Sequence, residues 1–520
     1  MGAPLSQDQG LVGSAASRTA PEGASGTAPE EPLFLEPRLA PPLRALLAEP
    51  DLLHGLVDAL GSPLNVVLPE VVASNVEAFR AVYRRHRLQG RICFAHKANA
   101  SSALVRRLAD TEAGLDAASV AELSHALGAG FAPDRVVATG PKDPDFLWLA
   151  ARTGATVHVD APAELADLVR LVRERGLPRA RVLLRLSGFA SEGVRLLSRR
   201  TRFGTPAGAV GELLDLCVRE RDAVELLGVA YHLDTTSLEE KALALESCVL
   251  ALDEARARGL DPRVVDVGGG FGASYLADGR QWERYTTALT DAVLGRRPPL
   301  TWGGHGYGLR NEGGTVRGRL TLYPAHRPVA GPGYLDELLS TPAPGLGRPL
   351  AELLLEHLYD LWVEPGRSLV DQCGLSLARV VDVRTTGDGR WLVRLAMTAG
   401  DVSLEEHGVL TDPVLLPRAG AAEPSGGDDG GPVGVHLVGD LCLESDLVTR
   451  RTVFLPRLPD RGDLLAFANT AGYCMDFRAH HAQMRPGARK VAAGRRPDGG
   501  WWWSLDERYW PTTTRRSGES

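Results

Sequence analysis

RICFAHKANAS, residues 91–101, joins an apolar run to a lysine. Ile92, Cys93, Phe94 and Ala95 have the composition of a strand covered on both faces, and Lys97 stands at its end with His96 and Asn99 nearby. Strands of this kind belong to parallel sheets. Lysine is rarely taken out of water unless it is paired or reactive. The same pattern, an apolar strand closed by a polar residue or glycine, recurs along the chain. The segments are ICFAHKA (92–98), GLDAAS (114–119), RVVATG (135–140), TVHVD (156–160), RVLLRL (181–186), LLGVAYHLD (226–234), RVVDVGGG (263–270) and LWVEPG (361–366). Amphipathic helical stretches such as PAELADLVRLVRERG (162–176) lie between them, and Gly130, Gly154, Gly176 and Gly259 suit helix C-termini. Strands alternating with helices predict an α/β fold with a parallel sheet. Periodicity alone leaves an open doubly wound sheet in play; the count of eight favours closure into a (β/α)8 TIM-type barrel.

The flanking segments read differently. Residues 1–32, rich in Ala, Gly, Ser, Pro and Glu, cannot bury enough apolar surface and read as a disordered tail. A helical segment (33–60) and a strand joining a second domain (61–72) precede the barrel, which spans 73–370. Within it, residues 296–350 break the rhythm with a Gly- and Pro-rich insertion containing GGHGYGLRNEGG (303–314). From 371 to 510, short β-like runs separated by turn clusters predict a C-terminal, mostly antiparallel β domain, followed by a tail at 511–520. AGAAEPSGGDDGGP (419–432) reads as a flexible surface loop. Trp501, Trp502 and Trp503 are expected to pack on the β domain.

Composition narrows the function. Fifty-eight basic residues face 65 acidic ones, a net charge of −7, which gives no concentrated basic surface for nucleic acid. No run reaches the length of a membrane-spanning helix, and no secretory signal pattern opens the chain. Six cysteines without paired spacing fit free thiols in a reducing, cytoplasmic setting. MGAPLS matches the loose myristoylation pattern, on which little weight rests because the motif is short.

Barrel enzymes build their sites at the C-terminal ends of the strands. Here those ends carry Lys97, Asp116 with Ser119, Gly140 with Lys142, Asp160, Arg185, His232 with Asp234, Gly268 to Gly270, and Glu364 with Arg367. Each has an ordinary explanation. Ser119 and Glu122 form a capping box, Asp160 suits a helix N-cap, Lys142 reads as a solvated lysine, and His232 alone reads as a core histidine. Taken together they form a polar ring. A strand-end lysine can form a Schiff base with an aldehyde, either in a class I aldolase or with pyridoxal 5′-phosphate. The second route needs a phosphate cradle, a carboxylate for the pyridine nitrogen and a flat group against the ring. Gly268, Gly269, Gly270 and Arg367 offer the first, Glu364 the second and His232 the third. An aldolase needs no carboxylate–arginine pair on the last strand. No metal is expected.

FAHKAN, GLDAASVAEL, AYHLD, VVDVGGGFG, EPGRSLV, GDLCLESD and NTAGYCMDF occur in this order between about residues 61 and 485. The set resembles the fold-type III pyridoxal-phosphate decarboxylases, which include the diaminopimelate and ornithine/arginine decarboxylases and share their fold with alanine racemase. The resemblance implies Lys97 as the Schiff-base lysine and His232 as the residue stacked on the cofactor. It implies Gly268 to Gly270, Arg367 and Tyr473 at the phosphate, and Glu364 at the pyridine nitrogen. It further implies Cys442 as the proton donor to the α-carbon, with Cys442 and Asp446 reaching the site from the other subunit of a head-to-tail homodimer.

The departures concern the substrate. The family places an acidic residue directly after the cysteine, where it holds the substrate's distal amino group. Here that position is Leu443, with Glu444 one residue later; Asp234 and Thr235 replace the glycine and serine that follow the histidine motif. Leucine cannot accept a hydrogen bond from an ammonium, so ornithine, lysine or diaminopimelate held in the usual way is not expected. Glu444, or Arg310 or His305 from the insertion, could supply another binding group. The reading is a pyridoxal-phosphate-dependent amino-acid decarboxylase; an amino-acid racemase on the same fold and a catalytically inactive regulatory homologue are the alternatives.

Overall fold

The computed structural model describes residues 31–189, 201–418, 431–477 and 482–511. The expectations placed on MGAPLS and the rest of residues 1–30, on 419–430 and on 512–520 lie outside the described residues.

The eight strands form at Gly90–Ala95, Gly114–Ala117, Val136–Ala138, Thr156–Val159, Ala180–Ser187, Val224–Tyr231, Val264–Asp266 and Asp360–Val363. Each runs parallel to the next, and the last pairs back onto the first through Val363 and Ile92. The barrel is therefore closed, and the open-sheet alternative falls. Inside it Cys93, Val137, Leu183, Ala230, Val264 and Trp362 pack into one apolar layer. Side chains alternate along a strand, so the residue two positions on faces the same way. Those residues are Ala95, Thr139, Arg185, His232, Asp266 and Glu364. The period of two thus puts polar chemistry one layer above an apolar plug, at the C-terminal mouth.

The second sheet has nine strands, running in order Val453–Leu455, Val433–Val438, Trp391–Leu395, Gly374–Thr385, Leu64–Val67, Arg489–Arg495 and Trp501–Leu505. Leu464–Ala468 branches from the long fourth strand, and Val414–Leu416 pairs with Leu464–Ala468. Leu64–Val67 lies antiparallel to Gly374–Thr385 and parallel to Arg489–Arg495, so a strand that precedes the barrel sits in the middle of the C-terminal sheet. Two helices, Pro41–Leu47 and Pro50–Leu60, each begin with a proline preset for the first turn. They lay Leu43, Leu46, Leu53 and Leu56 on this sheet's Leu64, Val66, Leu375 and Val491. Trp502 stacks on Tyr509 at 5.5 Å, while Trp503 is 45% exposed. Within the insertion, a hairpin pairs Leu309–Glu312 with Thr315–Gly318, followed by a helix at Pro332–Ser340.

Candidate active site

After Ala95 the first barrel strand tightens into a single turn of 3-10 helix, His96–Ala98, which turns Lys97 towards a cavity of about 820 Å³. Lys97, His158, Arg185, His232 and Glu364 line it from five strand ends, and Arg319 lines it from the insertion. Lys97 is thus open to the cavity rather than buried with its strand. Desolvation pulls its ammonium down, but Asp116, Tyr473 and Glu364 outweigh that, and its pKa lies above the usual lysine range.

Acids and histidines share the floor. Glu364 Oε2 lies 3.7 Å from His232 Nδ1, and Glu364 Oε1 lies 3.8 Å from His158 Nδ1. His158 Nε2 lies 3.6 Å from Asp266 Oδ2. Burial and the neighbouring Glu364 charge push Asp266 far above the carboxylate range, and burial raises Glu364 as well. Burial holds His232, a residue of the cavity wall, down at about 3, so its ring is neutral.

Asp116, next to this group, accepts a hydrogen bond from Thr139 at 2.5 Å. Burial, followed by the Glu364 charge, raises its pKa to about 7. A carboxyl with a native pKa above its unfolded one lends stability that is full below about pH 4 and lost as pH rises through about 7, roughly 4 kcal/mol here. Asp116→Asn should therefore gain thermal stability relative to the parent as pH climbs from 5 to 8 in the cofactor-free protein. A melting-temperature difference that is flat across that range would refute the assignment.

The opposite end is cationic. Arg367 donates to the Tyr275 hydroxyl at 2.6 Å, and its guanidinium faces the Tyr323 and Tyr473 rings at 4.9 and 5.3 Å. A Cβ on Gly366 would sit 2.5 Å from the Tyr473 hydroxyl, so any larger residue would displace the Tyr473 ring. In the glycine run, the Gly268 N–H goes to Asp266 at 2.9 Å and the Gly269 N–H to His232 at 3.4 Å. Gly270 is exposed, and among the described residues its N–H has no protein acceptor. Of the three glycines expected at an anion, the donor left over is Gly270.

Comparison with known proteins gives the chain its family. The family described as pyridoxal-dependent decarboxylase, pyridoxal binding domain, matches residues 71–302. An uncharacterized protein of Sinorhizobium fredii, y4yA, is 30% identical over 435 residues, covering 82% of this chain and 86% of the relative. The chain belongs to the pyridoxal-dependent decarboxylase family. The diaminopimelate decarboxylase of Deinococcus radiodurans is 28% identical over 432 residues, 81% of this chain and 88% of that one. In fold, the diaminopimelate decarboxylase of M. jannaschii in complex with L-lysine superposes with a TM-score of 0.64 at 18% identity, covering 87% of this chain and 91% of that one.

The residues present fit the family's cofactor. Glu364 Oε1 is buried with no hydrogen-bond partner among the described residues, an acceptor awaiting a donor in the cavity. The amine of Lys97, the acid of Glu364 and the cation of Arg367 supply the three polar groups that a phosphorylated pyridine aldehyde requires.

Other expectations meet the structure differently. Cys442, Leu443 and Glu444 are exposed, and none of them lines the cavity within one chain. Asp446, expected at the substrate, is buried and committed to its own loop. Its carboxylate accepts from the Ala399 and Leu441 N–H groups, both at 2.8 Å, so it shapes the turn that presents Cys442. Arg310 is not brought to the cavity; it pairs with Glu312 at 2.5 Å on the exposed hairpin. Neither is His305, whereas Arg319, just past the hairpin, is. The Lys142 side chain is buried rather than solvated, its ammonium 3.0 Å from Glu164 and 3.7 Å from Asp160. His158, Asp266, Tyr275 and Arg319 were not singled out from the sequence. The signal for the first two was there, as polar residues at inward positions of strands otherwise apolar. Among the described residues, no helix is long and apolar enough to cross a membrane.

Proposed function

We propose that the protein is a pyridoxal-5′-phosphate-dependent amino-acid decarboxylase whose substrate side chain is not gripped in the family's usual way. The observation that carries this is the convergence of Lys97, Glu364 and Arg367 with Tyr473 around the mouth of one barrel. Lys97 and Glu364 line the same cavity, and Arg367 and Tyr473 flank it through Gly366. The bound cofactor supplies an electron sink for the pair of electrons left when a carboxylate departs. Lys97 would hold the cofactor through its aldehyde carbon, with its amine placed where the substrate amine must also reach. Glu364 would favour a proton on the ring nitrogen, and His232, neutral, would supply a flat group for the ring. Arg367, Tyr473 and Gly270 anchor the phosphate. Cys442 returns a proton to the α-carbon.

Cys442 reaches a cavity only from a second copy of the chain, and the surface around it supports such pairing. Leu443 is 56%, Phe477 55% and Met484 95% exposed, and Gln483 accepts from the Cys442 N–H at 3.2 Å. Phe477 packs edge-on to Tyr473 at 6.0 Å, which ties this apolar patch to the phosphate end of the site. A head-to-tail homodimer with shared sites, working on a free amino acid, follows from this reading.

Carbon dioxide release across a panel of L- and D-amino acids tests it. Release from at least one amino acid is expected, with chirality retained in the unreacted substrate; racemisation without carbon dioxide would favour the racemase instead. Leu443→Asp restores the acidic residue in the family's position. It is expected to raise kcat/KM for lysine, ornithine or diaminopimelate by about tenfold or more, the scale of one ionic hydrogen bond. An unchanged preference would remove the argument that Leu443 sets specificity. The inactive-homologue reading has against it the retention of Lys97, Glu364, Arg367 and Tyr473 together.

A further inference from the structure

Lys241 is fully buried. It lies in the first turn of the helix Leu238–Ala257, at a position flanked by the core residues Ala242, Ala244 and Leu245. Its ammonium donates to the Gly269 carbonyl and stands 5.0 Å from the Phe271 ring centroid and 5.7 Å from that of Tyr334. No carboxylate among the described residues pairs with it, and burial alone draws its pKa down to about 7. A buried cation with only a carbonyl and two ring faces is costly to keep unless something uses it.

What it holds is one peptide of the glycine run. In a planar trans peptide the carbonyl and the following N–H point in opposite directions. With the Gly269 oxygen bound by Lys241, the Gly270 N–H is turned the other way, and it is the donor of that run left without an acceptor. Gly270 has φ +90°, and a Cβ there would meet Lys241 Nζ at 2.9 Å and the Thr235 carbonyl at 3.0 Å. The amine, the helix start and the glycine are fitted to one another.

We infer that Lys241 is a positioning residue of the phosphate cradle: it fixes the Gly269–Gly270 peptide so that its N–H meets the cofactor's phosphate, and it places positive charge directly behind that peptide. The inference rests on the cofactor reading above and goes beyond it in assigning a second lysine, a buried one, to the site.

The test compares pyridoxal 5′-phosphate with pyridoxal, which lacks the phosphate, by absorbance titration of the cofactor-free protein. It also records the rise in melting temperature caused by inorganic phosphate. Lys241→Met should weaken pyridoxal 5′-phosphate binding by about tenfold or more, leave pyridoxal binding within about twofold of the parent, and reduce the phosphate-induced stabilisation. Equal losses for both aldehydes would mean that the residue only fills space, and no loss for either would mean that it does nothing here; both results overturn the inference. If the methionine variant does not fold, Lys241→Gln, neutral but still a donor, is read by the same selective or parallel loss. Failure of the unaltered protein to bind pyridoxal 5′-phosphate would instead overturn the cofactor reading itself.

Discussion

Lys97→Ala is expected to reduce carbon dioxide release by at least about 10⁴-fold, the scale on which loss of a covalent catalyst is felt. The argument is geometric. Lys97 stands where the first strand ends, open to the cavity, and Asp116, Tyr473 and Glu364 surround it with groups that favour its charged form. In the buried Lys241 the amine is committed to a backbone carbonyl, so it offers no substitute. Borohydride reduction of the protein with its cofactor should leave a mass increment on the peptide holding Lys97, and none in the variant. Mixing subunits of Lys97→Ala with subunits of Cys442→Ala should restore activity that neither has alone, because one site of each mixed dimer is then intact. A Lys97→Ala protein that keeps more than about a hundredth of the parent rate would sink the mechanism. A mixture that stays inactive would sink the shared site.

Glu364→Gln comes next in size. The amide keeps the shape of the side chain and an acceptor oxygen, but it cannot carry the negative charge that balances a protonated ring. A fixed charge aimed at developing charge in a dry site contributes mainly in the transition state. The expected result is a fall in kcat on the order of 10²–10³-fold with KM little changed and the cofactor still bound, as judged by its visible absorbance. Loss of cofactor binding with unchanged kcat in the remaining loaded fraction would place Glu364 in anchoring rather than in the sink. Glu364 sits beside His158 and His232, with Asp266 across His158.

All eight barrel strands were legible because a strand buried on both faces is written as an apolar run, and most polar interruptions fall towards the C-terminal end of each run. Lys97, His232, Glu364 and Arg367 were legible for the same reason, as polar residues where the pattern stops. The partners of these residues were not. His158 meets Asp266 and Glu364 only because the barrel closes, bringing together strands more than a hundred residues apart; nothing local in TVHVD announces it. Lys142 looked solvated because its neighbours Asp160 and Glu164 follow on the next strand and helix. Asp446 looked like a substrate ligand because of its motif, yet two backbone N–H groups of its own neighbourhood had first claim on its oxygens. Lys241 was lost inside a long helix whose sequence reads as ordinary. The expected domain limits rest on composition, and the interleaved strand Leu64–Val67 makes any single cut through the chain artificial.

That strand has a consequence for how the molecule is made. Leu64–Val67 leaves the ribosome early, with both edges bare, while one of its flanking strands begins at Gly374 and the other at Arg489. At translation speeds of about 5–20 residues per second, an apolar ribbon waits on the order of tens of seconds for its first neighbour and longer for its second. The barrel itself can close only once Asp360–Val363 is made, so for most of that interval the early strand has neither neighbour, and chaperone demand and aggregation during biosynthesis should concentrate on it.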